Sequence, residues 1–446
     1  MALLLLPFLN SVTGRSFELN FTKPELLTTL GVLFTIGSVA SGLYPAIILS
    51  SFKTTEVIKG KVASRNQGWT MRNVLAGFQF ACSFILLVGT MLIYRQVNFM
   101  QNQDMGFKTD QTVVVKGPEL GESKDAGERM QTFKNELLQY AFVAKACTSF
   151  SVPGQDPSIR TGIRRLGSQP EDNRVGDISW VDPDFIDLYN IPMISGRTWN
   201  GLSDADLNFV VINEEAVDAF QLGDPQAAIN KSLILPFDTA LIIGVVKNHH
   251  WSSLKQPFTP LVLRAERIST ANISIRLKGN THVAMETIKE KYQAAFPDNT
   301  FSYYFLDEFY REQYRDEEMF GQLFSLFSAL AVAIGCLGLG GLASFVTLYR
   351  RKEISIRKTL GASVRGIVAL LVRQFMRPLL IGIMLVFPLA WIGSRRWLDL
   401  FPYRTDLSLD LFIVPLALLL MVSLITVSYQ TLRVAYSNPV DSLKSE

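Results

Sequence analysis

The sequence predicts a polytopic α-helical membrane protein that carries an inserted α+β extracytoplasmic domain. Three observations lead there. Of 446 residues, 48% are hydrophobic and only 19% charged, and the charge is gathered in a few segments. The apolar runs 26–49, 74–93, 320–348, 367–392 and 411–427 are nearly free of charge and lie near the ~20 residues a helix needs to cross a bilayer. Between the second and third runs the chain is polar and mixed in pattern, as a folded domain in water would be.

Composition also excludes some classes. The net charge of +3 gives no sign of nucleic-acid binding. The basic residues flank apolar runs, where the positive-inside bias accounts for them. Cys82, Cys147 and Cys336 form neither a disulfide framework nor a zinc spacing. Met1–Leu9 is apolar but has no basic flank and no cleavage site, so it is not read as a signal peptide. It is also too short to span.

In order, Leu26–Leu49 is the first full crossing. Gly37 with Ser41, and Ser38 with Gly42, set small residues at helical spacing, which lets helices approach closely in lipid. The alternative is that small residues are simply common in membrane helices. Ser51–Arg72 is basic and therefore cytoplasmic. Val74–Ile93 crosses outward, with Gln79 expected against a neighbouring helix. Tyr94–Asp104 continues that helix and ends near Gly106. The outer domain then shows a strand at Thr112–Val115 and a helix at Ala126–Ala144, with Met130, Phe133, Leu137 and Leu138 on one face. Strands follow at Phe209–Asn213 and Ala240–Val246, and a helix at Thr281–Phe296. No strict βαβ rhythm is present, hence α+β. Leu306–Met319 reads as a second stalk helix with a stripe of Leu306, Phe309, Tyr310 and Tyr314. Phe320–Leu348 returns inward; Gly335, Gly338, Gly340, Gly341 and Ala343 are its small packing positions. Ile367–Ile392 crosses outward again, with Arg373 and Arg377 snorkelling to the inner interface and Pro378 kinking the helix. Gly393–Asp410 is an outer loop, Leu411–Val427 the last crossing, and Arg433–Glu446 a cytoplasmic tail.

Arg350–Ser363, RRKEISIRKTLGAS, lies between two of these crossings. Arg350, Arg351, Lys352, Arg357 and Lys358 stand against one acid, Glu353. The length suits a short helix with Ile354, Ile356 and Leu360 as its apolar positions. Gly361 is a helix stop and Ser363 a cap for the next helix. On charge alone it is a topology anchor on the cytoplasmic side.

This segment resembles the cytoplasmic coupling segment of FtsX/MacB-type ABC transporter permeases. Asn438–Glu446, NPVDSLKSE, resembles that family's tail. Ile242–Leu263, IIGVVKNHHWSSLKQPFTPLVL, resembles its extracytoplasmic domain in the eight-span Bacteroidetes-type form, where the segment is a structural turn after a strand. The resemblance implies an outer domain of the MacB periplasmic core type in the periplasm of a bacterial inner membrane. It also implies a separate ABC ATPase docking on Arg351, Lys352, Glu353, Ile354, Ile356, Arg357, Lys358, Leu360 and Gly361. Other implied partners are the lipid bilayer, a second permease copy or a missing N-terminal half, and an outer partner protein. The cargo is not implied.

The region before Lys61 resembles the region before Glu446: Tyr44 matches Tyr429, Glu56 Asp441, Ile58 Leu443 and Lys59 Lys444. Residues 1–60 therefore read as the end of a first FtsX-like unit. The second unit comprises 61–95 (cytoplasmic loop and first span), 96–319 (outer domain with stalks) and 320–446 (three spans with the coupling segment and tail). On this reading the chain lacks the front of its first unit, through a truncated frame or a miscalled start.

Enzymatic chemistry is not legible. There is no GxxxxGK[ST], and Gly335–Gly341 is apolar and followed by no Lys, so packing explains it better than phosphate binding. His249 and His250 are adjacent, with no carboxylate or Cys at ligand spacing. Ser252 and Ser253 have no third group or oxyanion turn. No cofactor or metal is expected. The expected function is an ABC transporter permease that couples a partner's ATP hydrolysis to motion of the outer domain. The alternative is a membrane-anchored sensor or scaffold without an ATPase partner.

Overall fold

The computed structural model describes residues 6–7, 10, 23–50, 67–119, 125–199, 206–251, 254–279, 281–350, 353–354, 356–357 and 360–435; within these, the side chains of 40–41, 44–50, 67–72 and 434–435 are not described. The chain forms two compact units: Met1–Val97 with Asp316–Leu398 and Thr405–Glu446, and Asn98–Arg315 with Asp399–Arg404.

The helices of the first unit are α1 (Pro24–Ser50), α2 (Gln67–Gln101), α9 (Arg315–Tyr349), α10 (Val364–Leu398) and α11 (Asp410–Ala435). Four stretches among the described residues are long and apolar enough to cross a membrane: Asn73–Gln101, Arg315–Tyr349, Val364–Leu398 and Asp410–Arg433. Phe80, Phe84, Leu339, Leu371, Leu379, Phe412 and Leu419 lie in one buried cluster. Much of the remaining apolar surface is exposed, including Phe78, Leu337, Met384 and Leu385. Such surface belongs in lipid rather than in water.

Polar groups inside this unit find partners in the ways a low-dielectric medium demands. Thr90 and Ser328 hydroxyls meet at 3.0 Å. Thr347 and Thr431 donate back to the carbonyls four residues earlier. Gln79 lies against α9: a Cβ on Gly338 would stand 3.3 Å from its Oε1. The tightest crossing joins α2 to α10. A Cβ on Gly382 would stand 2.4 Å from the Gly77 carbonyl oxygen, and one on Gly77 2.9 Å from that of Pro378. Both positions need glycine.

The second unit contains an eleven-stranded sheet. Its first layer is β1 (Thr112–Lys116), α3 (Ala126–Leu137), β2 (Val143–Ser149), and, much later, β10 (Asn272–Leu277), α7 (Thr281–Ala295) and β11 (Tyr303–Phe305). The order β11-β1-β10-β2 is antiparallel throughout, the arrangement of a split βαβ unit. Strand alternation assigns the faces: Val113, Val115, Ile273 and Ile275 pack with Phe133, Ile288 and Tyr292 of the two helices. Val114 and Cys147 face the opposite core with Phe185 and Tyr189.

Between β2 and β10 the chain inserts β3 (Ile159–Arg165), β4 (Arg174–Val181), α4 (Phe185–Leu188), β5 (Met193–Gly196), β6 (Phe209–Asn213), α5 (Glu214–Ala219), α6 (Pro225–Ala228), β7 (Ser232–Ile234), β8 (Thr239–Val246) and β9 (Leu261–Ala265). Pairing runs β4-β3-β7-β8-β6-β9, and β9 returns to β4 in parallel. The six strands thus close on themselves around Ile163, Ile178, Val210, Ile212, Leu233, Ile242 and Val262, which removes exposed edges. The α+β reading holds.

The ring meets the split βαβ layer in one strand pair, Ser149 opposite Val181. A buried ionic knot reinforces that junction. Lys134 on α3 donates to Asp182 at 2.7 Å and to Asp184 at 2.6 Å. Asp182 also accepts the Thr148 backbone N–H at 2.6 Å. Lys134 is 5% exposed and Asp182 1%. Burial pulls the Lys134 ammonium down, but the charges of Asp182 and Asp184 outweigh it and hold it above its usual range.

Two expectations change. The helix predicted over Ala126–Ala144 stops at Leu137, and Leu138 is exposed, because Val143–Ser149 is claimed by β10 from far along the chain. The stalk predicted over Leu306–Met319 is two helices, α8 (Leu306–Glu312) and the start of α9. The break at Gln313 and Tyr314 is held by distant groups: Lys255 Nζ donates to the Gln313 carbonyl at 2.8 Å, and Tyr314 Oη accepts the Leu254 N–H at 3.3 Å.

Replacing Lys134 by Met would leave Asp182 buried without its counter-charge. We expect a loss of about 3–5 kcal/mol at neutral pH. The loss should shrink as pH falls, because Asp182, its pKa already raised by burial, then takes a proton. Thermal unfolding of the full chain against pH measures both.

Candidate functional site

Arg350–Ser363 is built from the end of α9 to the start of α10. Arg350 N–H donates to the Val346 carbonyl and Ile354 N–H to the Arg350 carbonyl, so helical bonding continues past Tyr349. Glu353, Ile354, Ile356 and Arg357 are helical. The segment then stops by a defined device. Gly361 takes φ +90°, Leu360 N–H donates to the Ile356 carbonyl at 3.0 Å, and Ala362 N–H reaches back to the Arg357 carbonyl at 2.9 Å. This five-residue reach across a left-handed glycine is a Schellman closure, which satisfies carbonyls that a bare helix end would leave open. Two residues on, the Ser363 hydroxyl accepts the Gly366 N–H at 3.1 Å, an N-cap on α10. Both the stop at Gly361 and the cap at Ser363 stand as the sequence predicts.

The charges are ordered. Glu353 accepts from Arg357 at 2.7 Å and lies 4.0 Å from Arg350. The apolar positions divide. Ile354 is 8% exposed, in the membrane cluster with Ile367 and Leu371, whereas Ile356 is 54% exposed and Leu360 82%. Ile356 and Leu360 are four apart, so they share a helix face. Of the nine predicted docking residues, Glu353, Ile356, Arg357, Leu360 and Gly361 are exposed. Ile354 is turned inward to anchor the segment. Arg351, Lys352 and Lys358 lie outside the described residues, as does the tail Asn438–Glu446.

The predicted packing positions divide too. Gly338 abuts Gln79, and Gly340 lies 3.5 Å from Thr426 on α11, measured from a built Cβ. Among the described residues, Gly37 and Gly341 have no neighbour within 4 Å of a Cβ placed there. The Ser41 side chain is not described. The sequence reading missed Gly77 and Gly382, because their importance lies in which faces meet and not in local spacing. Pro378 is inside α10, where its carbonyl meets Gly77.

In the outer unit, the turn after β8 buries both histidines. His249 Nδ1 lies 3.1 Å from the Lys247 carbonyl, and its ring packs beside Phe107 and Trp251. His250 stacks on Phe258 and meets Tyr403 edge-on. Burial pushes both imidazoles down to about 4, so they sit in the turn as neutral packing groups. Gly106, at φ +81°, lies under this turn; a Cβ there would stand 2.8 Å from the Asn248 carbonyl. Ser252 and Ser253 lie outside the described residues.

Residues 325–439 match the family model described as FtsX-like permease C-terminal. Solved structures similar to the chain include the periplasmic region of MacB from Actinobacillus actinomycetemcomitans (12% identity, 48% of this chain and 96% of that one, TM-score 0.34). Another is the extracellular domain of the noncanonic ABC-type transporter YknZ from Gram-positive bacteria (12% identity, 43% and 97%, TM-score 0.30). A third is a domain of a Porphyromonas gingivalis protein described as a permease (14% identity, 44% and 90%, TM-score 0.30). No curated protein matches the sequence.

The buried and exposed apolar positions of the segment separate experimentally. Ile354→Asp should lower the thermal stability of the purified protein by about 3 kcal/mol or more, since it buries an unpaired charge. Leu360→Asp should stay within about 0.5 kcal/mol, as an exposed substitution. Ser363→Ala should cost about 1 kcal/mol through the lost cap.

Proposed function

We propose that this chain, whose residues 325–439 match the FtsX-like permease C-terminal model, is the membrane subunit of an ABC transporter that receives force from a separate ATPase through Arg350–Ser363. The observation that carries the reading is the exposed pair Ile356 and Leu360 on a basic helical segment closed at Gly361 and capped at Ser363. Large apolar side chains so exposed at four-residue spacing suit a helix laid into a groove of a partner, with Arg357 at the rim.

The construction suits transmission. Ile354 ties the segment into the core shared with Ile367 and Leu371. The Schellman turn and the Ser363 cap leave only Ala362 between Gly361 and the cap, so a push on Leu360 is passed to α10 with little slack. At the other end, helical bonding at Arg350 and Ile354 passes it to α9. In sequence, α2 leads into the outer domain and α9 leads out of it. Displacing α9 and α10 relative to α2 is the movement by which the outer domain would be worked. The permease sits in the bacterial inner membrane on this reading, with the outer domain in the periplasm and a second permease copy supplying the second docking segment.

Ile356→Asp and Leu360→Asp should each release a nucleotide-hydrolysing subunit from the purified complex and abolish its stimulated ATPase activity, with the permease itself still folded. Full retention of the subunit and its stimulation in both variants would refute the docking.

A further inference from the structure

We infer that the α2–α10 face holds an anionic phospholipid, with its headgroup on Arg373 and Arg377 and an acyl chain along the apolar wall beyond them. A groove of about 1320 Å³ runs between these helices. Its floor is the close backbone approach at Gly77, Pro378 and Gly382. At one end it is lined by Arg350, Arg373, Arg377, Asn73 and Gln374; beyond them the lining includes Phe78, Ile85, Ile381, Leu385 and Leu389. None of its described lining residues is a carboxylate.

Two of these arginines lack a counter-charge among the described residues. Arg350 lies 4.0 Å from Glu353, but among the described residues neither Arg373 nor Arg377 has a hydrogen-bond or ion-pair partner. Cations in an apolar helix normally pair or reach the interface. Their depth is set by the helix itself. The uncharged run 378–394, ended by Arg395, rises about 26 Å at 1.5 Å per residue, close to the roughly 30 Å hydrocarbon core. Arg377 and Arg373 therefore stand at the headgroup level, on the side of Arg350. From Arg377 to Leu389 the wall rises about 18 Å, slightly more than one leaflet of about 15 Å. Guanidinium groups match phosphate in charge and geometry. Cationic headgroup end, apolar wall and leaflet length together describe one anionic lipid and not a soluble anion.

The test is native mass spectrometry of the full chain in detergent, with dioleoyl phosphatidylglycerol or dioleoyl phosphatidylcholine added. Each basic residue near a lipid surface favours an anionic headgroup by about fivefold. The wild type should therefore prefer phosphatidylglycerol by about 25-fold. Arg373→Gln with Arg377→Gln should bring the preference near unity, while Arg395→Gln with Arg396→Gln at the far end of α10 should not. Should the first pair fail to fold, Ile381→Trp with Leu385→Trp fills the wall without touching charge, and should lower retention of both lipids. Glycerol 3-phosphate should not displace the bound lipid. Equal retention of the two lipids, a preference that survives loss of both arginines, displacement by glycerol 3-phosphate, or a dimer sealed through Ile381 that carries no lipid would each overturn the inference.

Discussion

The orientation of the exposed basic segment depends on how one helical turn is closed. Gly361 at positive φ and the Ser363 hydroxyl end one helix and begin the next within three residues. That punctuation fixes the rotation of the segment before it, and rotation decides which apolar side chain is buried and which is exposed. With Ile354 in the core, Ile356 and Leu360 must point out, because positions two and six residues on lie on the far side of a 3.6-residue helix. A disordered basic loop would satisfy the same charge rule but would not hold these two side chains on one face.

The second unit gains rigidity by a different strategy. A split βαβ layer and a closed ring of strands share a single strand pair. So narrow a junction would flex if it rested on backbone hydrogen bonds alone. Lys134, Asp182 and the Thr148 N–H add a buried, charge-assisted knot across it. Aromatic packing of His250 with Phe258 and Tyr403 fastens the 399–404 loop to the same unit.

Much of this was legible in the sequence, and the failures have a common cause. Apolar runs, the glycine stop and the serine cap are local signals, and they stand. Phe209–Asn213 and Ala240–Val246 are strands because their β-branched residues are buried on both faces, which a short continuous run reports. By contrast, Val143–Ser149 is rich in small residues, and only its distant partner β10 makes it a strand. Lys134 lies among Met130, Phe133 and Leu137 on a buried helix face, which is intelligible only once Asp182 is beside it. The break at Tyr314 depends on Leu254 and Lys255. Glycine content marked α9 as a packing helix, but could not tell Gly338, which meets Gln79, from Gly341, which meets none of the described residues. The crossing at Gly77 and Gly382 pairs two helices remote in sequence, so no spacing rule could have marked it. Arg373 and Arg377 were visible as awkward cations; the groove that gives them a purpose was not.

The most direct measurement is site-specific photocrosslinking in intact cells from a benzophenone side chain placed in turn at positions 354, 356 and 360. The account predicts adducts with a Walker-motif ATPase from 356 and 360 and none from 354. Adducts from 354 alone, or labelling of position 360 by a membrane-impermeant reagent added outside the cell, would contradict it.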